Sequence, residues 1–182
     1  MTNLIKILDE KDKRLRKISS DIVFPLSNED KNLINEMLEH LVNSQIEEIA
    51  KEYNLRPGMG LAAIQLGIAK KYFVIAHEQE DKSFNRYTII NPKIISHSEE
   101  LIYAGGGEGC LSVNRDVEGI IPRYARITIE YRDINGNTQQ LRAREELAIA
   151  VQHELDHLNG ILFIDKIDKD NPFKDEEKMR MI

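Results

Sequence analysis

His153-Glu154-Leu155-Asp156-His157 places two imidazoles four residues apart with a carboxylate between them, directly after Leu147 to Val151, an apolar run that predicts a helix. On a helix, residues four apart lie roughly 6 Å apart along the axis and roughly 40° around it, so both rings can reach one metal ion. Glu154 then stands beside that ion, where a carboxylate can take a proton from a water molecule that the metal polarises. This is chemistry suited to hydrolysis. The competing reading is a solvated His/Glu/Asp face on a half-buried helix, and a pattern of five residues recurs by chance too often to decide between the two.

A hydrolytic metal site generally takes three protein ligands and keeps one position open. The chain follows the metzincin pattern H-E-x-x-H-x-x-G-x-x-H as far as Gly160, then has Phe163 where the third histidine belongs. Phenylalanine cannot bind a metal. A thermolysin-like site would use a glutamate further downstream. Glu176 and Glu177 fall in the right region, but they lie beyond Pro172 in a charged segment with almost no apolar face. Cys110 is the remaining candidate, preceded by Gly105-Gly106-Gly107-Glu108-Gly109 and followed by Leu111-Ser112-Val113. Glycines there would let the backbone approach a metal closely. A lone cysteine in a glycine turn is also commonly a small buried hydrophobe, so the residue pattern alone leaves the third ligand open.

Other chemistries fit less well. Gly58-x-Gly60-x-x-Ala63 satisfies the loose dinucleotide-binding fingerprint, but that fingerprint must follow a strand and open a helix, whereas this one follows a predicted helix and Pro57. A zinc metalloprotease could use Glu154 in the same way, yet it lacks a well-supported third ligand. A closed structural metal site needs four ligands, and His40, His77 and His97 fall on predicted helix or strand surface without a partner motif.

The elements that must position these residues are partly readable. Ser27-Asn28-Glu29-Asp30 predicts a helix start with Ser27 as N-cap, and Leu33, Ile34, Met37, Leu38, Leu41 and Val42 continue at helical spacing toward an end near Tyr53. Pro57-Gly58-Met59-Gly60 breaks it. Tyr72 to Ala76 and Tyr87 to Ile90 predict strands, the second stopped by Asn91-Pro92, and Leu101 to Ala104 predicts another. Ile127, Ile129 and Tyr131 alternate with polar residues, and Asn135-Gly136 turns them into Gln139 to Ala143, which predicts a hairpin. The motif helix is expected from Arg144 to Leu158 with Gly160 at C′, then a short strand over Ile161 to Ile164. Residues 168–182, mostly charged, are expected as a surface tail.

At 182 residues the chain has room for one domain with a sizeable core, and its 41% hydrophobic and 31% charged content is that of an ordinary globular protein. A net charge of -6 with scattered cations argues against a nucleic-acid surface. No apolar run approaches a membrane span, and Met1 to Lys17 lacks the unbroken apolar core of a secretory signal. The expectation is a cytoplasmic protein, and the single cysteine, Cys110, fits a reducing compartment.

Three segments taken together, Gly58-Met59-Gly60-Leu61-Ala62-Ala63-Ile64-Gln65, Glu108-Gly109-Cys110-Leu111-Ser112 and His153-Glu154-Leu155-Asp156-His157, resemble the three signature motifs of the peptide deformylases, in the family's order. The likeness extends from Asp12 to Ile167. The long segment between Ser27 and Pro57 is similar to the longer form found in Gram-positive-type bacteria. Ile64 stands where many members have proline or threonine, and Asn114 where many have aspartate.

The resemblance implies a single α+β domain with antiparallel strands packed around a central metal-binding helix. It implies removal of the formyl group from the N-terminal formylmethionine of new polypeptides near the ribosome, by a monomer. Cys110, His153 and His157 would then bind one divalent metal, Fe²⁺ in much of the family, with Zn²⁺, Ni²⁺ or Co²⁺ as other options. Glu154 would be the general base, and the Gln65 amide and Leu111 backbone N–H the oxyanion donors. Gly58, Met59, Gly60 and Gly109 would border the substrate backbone, Ile149 and Ala150 the methionine side chain, and Glu108 would pair with Arg123 to hold the Cys110 loop.

Overall fold

Tyr72 to Ala76 has no polar face. In the computed structural model, which describes residues 5–182, these five residues are fully buried within strand β2 (Tyr72–Glu78). Tyr72, Val74 and Ala76 meet Ile34, Met37 and Leu41 of helix α1 (Asn28–Gln45), while Phe73 and Ile75 meet Ala148, Val151 and Leu158 of helix α3 (Glu145–Leu158). A strand covered on both faces reads as a continuous apolar run rather than an alternating one. Around β2 stand β1 (Gly60–Ala62), β3 (Phe84–His97), β6 (Arg126–Arg132) and β7 (Thr138–Arg144), in the order β1-β2-β3-β6-β7 with every pairing antiparallel. A smaller sheet orders β5 (Arg123–Tyr124), β4 (Leu101–Tyr103) and β8 (Arg180–Met181), and its β4–β8 pairing is parallel. The motif helix touches strands of both sheets, giving a mixed α+β single domain. No helix among the described residues is long and apolar enough to cross a membrane.

Ser27 caps α1 as its spacing predicts, its Oγ accepting from Asp30 N at 3.0 Å. The predicted continuation to Tyr53 is corrected: the helix breaks at Ile46 and restarts as α2 (Glu47–Tyr53). Side-chain hydrogen bonds converge on the break. Ser44 Oγ and Gln45 Nε2 both donate to the Leu41 carbonyl, and Gln45 Nε2 also reaches Gly58 O at 3.0 Å and Ala76 O at 2.9 Å. The end of α1 is thereby fastened to the 57–60 loop.

Asn91-Pro92 does not stop β3, which runs on to His97 through a register shift between Ile90 and Lys93. Asn91 takes a φ of 50°, and its side chain bonds both the N–H and the carbonyl of Ile22, so the irregularity is fastened rather than frayed. The strand expected over Ile161 to Ile164 is instead backbone outside any strand at Ile161 and Leu162 followed by a 3₁₀ helix, Phe163–Asp165, closed by Leu162 N donating to Asp165 Oδ2 at 2.8 Å. Residues 168–182 contain a 3₁₀ turn, Glu176–Lys178, and β8, neither legible in the charge pattern.

α3 ends in a Schellman arrangement: Gly160 N donates to His157 O at 3.1 Å and Ile161 N to Asp156 O at 3.0 Å. Gly160 has a φ of +72°, and a Cβ there would lie 2.5 Å from the Arg16 carbonyl oxygen, which is backbone and cannot swing away. Gly160→Ala is therefore expected to lose more than about 1 kcal/mol, and the thermal midpoint to fall by about 2 to 4 °C for each kcal/mol. Gly106→Ala, where a Cβ meets nothing within 4 Å, should stay within about 0.5 kcal/mol of the parent. Equal midpoints for the two variants in thermal unfolding would contradict this account of the helix terminus.

Candidate metal centre and active-site cavity

α3 carries His153, Glu154 and His157 on its buried side, at 8%, 3% and 1% exposure. One donor atom from each of Cys110, His153 and His157 lies within 4.8 Å of the other two. They form the only cluster of three or more potential metal-ligating residues with this property among the described residues. His157 Nε2 stands 3.3 Å from Cys110 Sγ. Phe163, the residue that ends the metzincin pattern, packs against the His153 ring with centroids 6.0 Å apart. Glu176 lies elsewhere, accepting from Tyr103 OH at 2.8 Å, and Glu177 is exposed and outside the cluster. His40, expected on a surface, is buried on α1, and burial lowers its pKa.

The Cys110 loop is held from several sides. Arg56 Nη2 donates to the Cys110 and Val113 carbonyls at 3.1 and 3.0 Å, and Arg56 Nη1 bonds Asn114. Asn114 in turn donates to Asp9 at 3.0 Å, so the departure from aspartate here supplies an amide that bridges a cation and an anion. Glu108 accepts from Arg123 Nε and Nη2 at 2.7 and 2.8 Å and faces His153 Nδ1 at 2.9 Å, while Arg123 Nη1 reaches Asp156 Oδ2 at 2.6 Å. Ile64, the other departure, is fully buried in the cluster that backs α3.

Gln65, 1% exposed, sits in the 3₁₀ turn Ala63–Leu66. Its Oε1 accepts from Ala62 N at 2.9 Å. That orientation leaves Nε2 to donate to Ser112 Oγ at 3.1 Å and to approach Cys110 Sγ at 3.6 Å. The sulfur also accepts from Ser112 N at 3.4 Å.

Burial raises the Glu154 carboxyl to about 7, against the opposing pull of His153. Its Oε2 is buried without a protein partner, as is His157 Nδ1. For His153, burial favours the neutral ring, but hydrogen bonds with Cys110 and Glu108 outweigh it and push the pKa up to about 10. His157 is held well below the usual histidine range, first by burial and then by His153. A thiol and two imidazoles suit a transition-metal dication better than Mg²⁺ or Ca²⁺, and three donors leave a tetrahedral position open, so the residues fit such an ion.

Cys110, His153 and Glu154 border a cavity of about 550 Å³. Gly58, Met59, Gly60, Gly109, Ile149 and Ala150 all line it, as do Gln65 and Leu111, whereas His157 and Arg123 lie behind its wall. The glycines differ in what they allow. A Cβ on Gly60 would strike the Glu154 carboxylate and come within 2.8 Å of its Cγ, one on Gly58 would lie 2.7 Å from Leu111 Cδ1, and one on Gly109 would meet nothing within 4 Å. The empty side of Gly60 is thus already used by Glu154. Sequence reasoning missed Arg56, Ser112, Asp156 and Ile182, although Asp156 was detectable as a charge inside the motif itself.

A family model described as polypeptide deformylase matches residues 4–173. Peptide deformylase 2 of Bacillus anthracis is 47% identical over 173 residues, 95% of this chain and 94% of that one. A peptide deformylase of Listeria monocytogenes serotype 4a is 46% identical, with 94% of each chain covered. Among solved structures, the peptide deformylase of Thermotoga maritima has a TM-score of 0.71 at 31% identity, covering 91% of this chain and 99% of that one. A class I type b deformylase of Acinetobacter baumannii, crystallised with Met-Ala-Ser bound, has a TM-score of 0.72 at 27% identity, covering 92% and 100%. The chain belongs to the polypeptide deformylase family.

Proposed function

We propose that this chain hydrolyses the formyl group from the formylmethionine that begins newly made polypeptides, releasing formate. The observation that carries the proposal is the convergence of the Cys110, His153 and His157 donor atoms at a cavity lined by Cys110, His153, Glu154 and Gln65. Cys110, His153 and His157 are the residues that would hold the metal, with Fe²⁺ proposed and Zn²⁺, Ni²⁺ or Co²⁺ as substitutes. When bound, such an ion would supply Lewis acidity for water attack on the formyl carbonyl. Glu154, whose pKa of about 7 allows it to accept and release a proton near neutrality, takes the proton of the attacking water and returns it to the leaving amine. Gln65 Nε2 and the Leu111 N–H are the donors for the oxyanion that develops on the formyl oxygen. Glu108, hydrogen-bonded to Nδ1 of His153, leaves Nε2 as its metal-binding atom.

Gly58, Met59, Gly60 and Gly109 border the peptide backbone in this reading, and Ile149 and Ala150 the methionine side chain. The Met-Ala-Ser peptide held by the Acinetobacter relative supports a product that begins with methionine. All the proposed groups come from one chain, which supports action as a monomer, and a free thiol as ligand suits the cytoplasm, near the ribosomes that make the substrate.

The direct test is formate release from a formyl-methionyl peptide, run beside metal analysis of the same sample. Cys110→Ala should lose its tightly bound metal, whereas Glu177→Ala should keep a full complement; the reverse pattern would favour a protease-type ligand set. Glu154→Gln keeps the shape and removes the base, so metal should stay while kcat falls by about 10² to 10⁴ or more. Metal loss in that variant would make Glu154 a ligand instead. Gln65→Leu should lower kcat by about 10² to 10³ with little change in KM, and an unchanged kcat would remove Gln65 from the oxyanion site.

A further inference from the structure

The stretch 104–109 borders the cavity through Ala104, Gly107, Glu108 and Gly109, so it offers no apolar side chain larger than a methyl group. Ile182 supplies that missing bulk. It lines the same cavity although it belongs to a segment that the sequence pattern assigns to the surface. Ile182 N donates to Tyr103 O at 3.0 Å, and Gly105 N donates to Ile182 O at 2.9 Å, which extends the parallel pairing of Arg180 and Met181 with Ile102 and Tyr103. Gly105 is where the two segments touch: a Cβ on it would lie 2.8 Å from Met181 Cγ and Sδ.

The segment is fastened more firmly than its burial explains. Met181 and Ile182 remain 62% and 39% exposed, so core packing does not account for their order. Arg180 grips both Glu145 oxygens at 2.7 and 2.8 Å and Glu100 at 2.9 Å. Glu145 is the first residue of α3 and has a φ of 53°, and it too lines the cavity.

Glu145, Ile149 and His153 follow at i, i+4 and i+8, share one helix face and all line the cavity. Eight residues of helix span about 12 Å, so the cavity extends along α3 from the donor set to the helix start that Arg180 grips. A formyl carbon at the donor set is two bonds from the Cα of the first residue. Ile149 lies about 6 Å from His153 along the axis, within reach of an unbranched side chain leaving that Cα. Ile149 packs with Ile102 and Ala104, the segment against which β8 and Ile182 are paired.

We infer that Ile182, presented by β8 and positioned by the Arg180–Glu145–Glu100 clip, forms the end wall for the first side chain of the substrate and sets the length that the site accepts. The inference rests on the deformylase reading and adds to it a specificity-determining residue outside the three motifs.

The test uses the full metal-loaded chain and formyl-X-Ala-Ser peptides with X as methionine, norleucine, norvaline or alanine. A second series, formyl-Met-X-Ser, varies only the following residue. Ile182→Ala should lower the methionine-to-alanine ratio of kcat/KM by about tenfold, mostly through KM, the scale of a lost apolar contact in a pocket. Ile182→Phe should shift the optimum toward norvaline by shortening the pocket, Ile182→Leu should restore the parent ratio, and Arg180→Ala should move the ratio in the direction of Ile182→Ala. Opposite shifts from smaller and larger side chains are not produced by a purely structural role. Ratios that stay constant across all variants would overturn the inference, as would effects that follow only the second residue of the peptide. A parent protein that releases no formate from any peptide would instead defeat the deformylase reading itself.

Discussion

The guanidinium of Arg123 is almost wholly out of water, at 2% exposure, and three elements depend on how its charge is answered. Glu108 meets it from the glycine-rich loop and Asp156 from α3, while Arg123 itself comes from β5. A buried charge stripped of one partner costs about 3 to 5 kcal/mol, so the loop carrying Cys110 cannot drift from the helix carrying the histidines without exposing that cost. Burial alone would raise the Glu108 carboxyl, but Arg123 and His153 outweigh it and hold it near 2. Glu108 therefore stays ionised and fixes Nδ1 of His153. One ionic network sets both the spacing of the donors and the direction in which an imidazole presents its free nitrogen.

A second theme is how irregular backbone near the site is satisfied. Gln45 bonds the carbonyls of Gly58 and Ala76, Arg56 those of Cys110 and Val113, Gln152 both polar groups of Tyr124, and Asn91 both polar groups of Ile22. Each polar side chain pairs a backbone group that the regular ladders leave over, since buried backbone groups left unpaired are costly. The loops that border the cavity can then be non-repetitive and still fixed.

This division explains what the sequence disclosed. The hairpin ending at Ala143, the N-cap at Ser27, the apolar run of β2 and the Gly160 terminus are local signals, and each occurs where its pattern points. The break at Ile46, the passage of β3 through Asn91 and the pairing of β8 depend on partners 10 to 80 residues away, such as Gly58, Ile22 and Glu100. No periodicity records those contacts. At the site, the spacing of His153 and His157 was informative because a helix turns it into proximity. Cys110 was ambiguous because its nearness to them is created by Arg56, upstream of the loop, and Arg123, between the loop and the helix.

An H-E-x-x-H helix could serve a protease as well, and the difference lies in what surrounds it. Peptide cleavage within a chain needs room on both sides of the scissile carbonyl. Here Cys110, His153, Glu154 and His157 are each less than a tenth exposed, Gln65 is buried against the sulfur, and Glu154 occupies the space that Gly60 leaves. These groups crowd the position proposed for the reacting carbonyl. A formyl group carries only hydrogen there, so it suits this confinement, while in the proposed reading the cavity along Ile149 and Ala150 would take the residue on the amine side. In the proposed reading, the glycines, the buried amide and the ionic network therefore specify the reaction together with the metal donors: the helix would provide hydrolytic chemistry, and the walls would restrict it to the smallest acyl group.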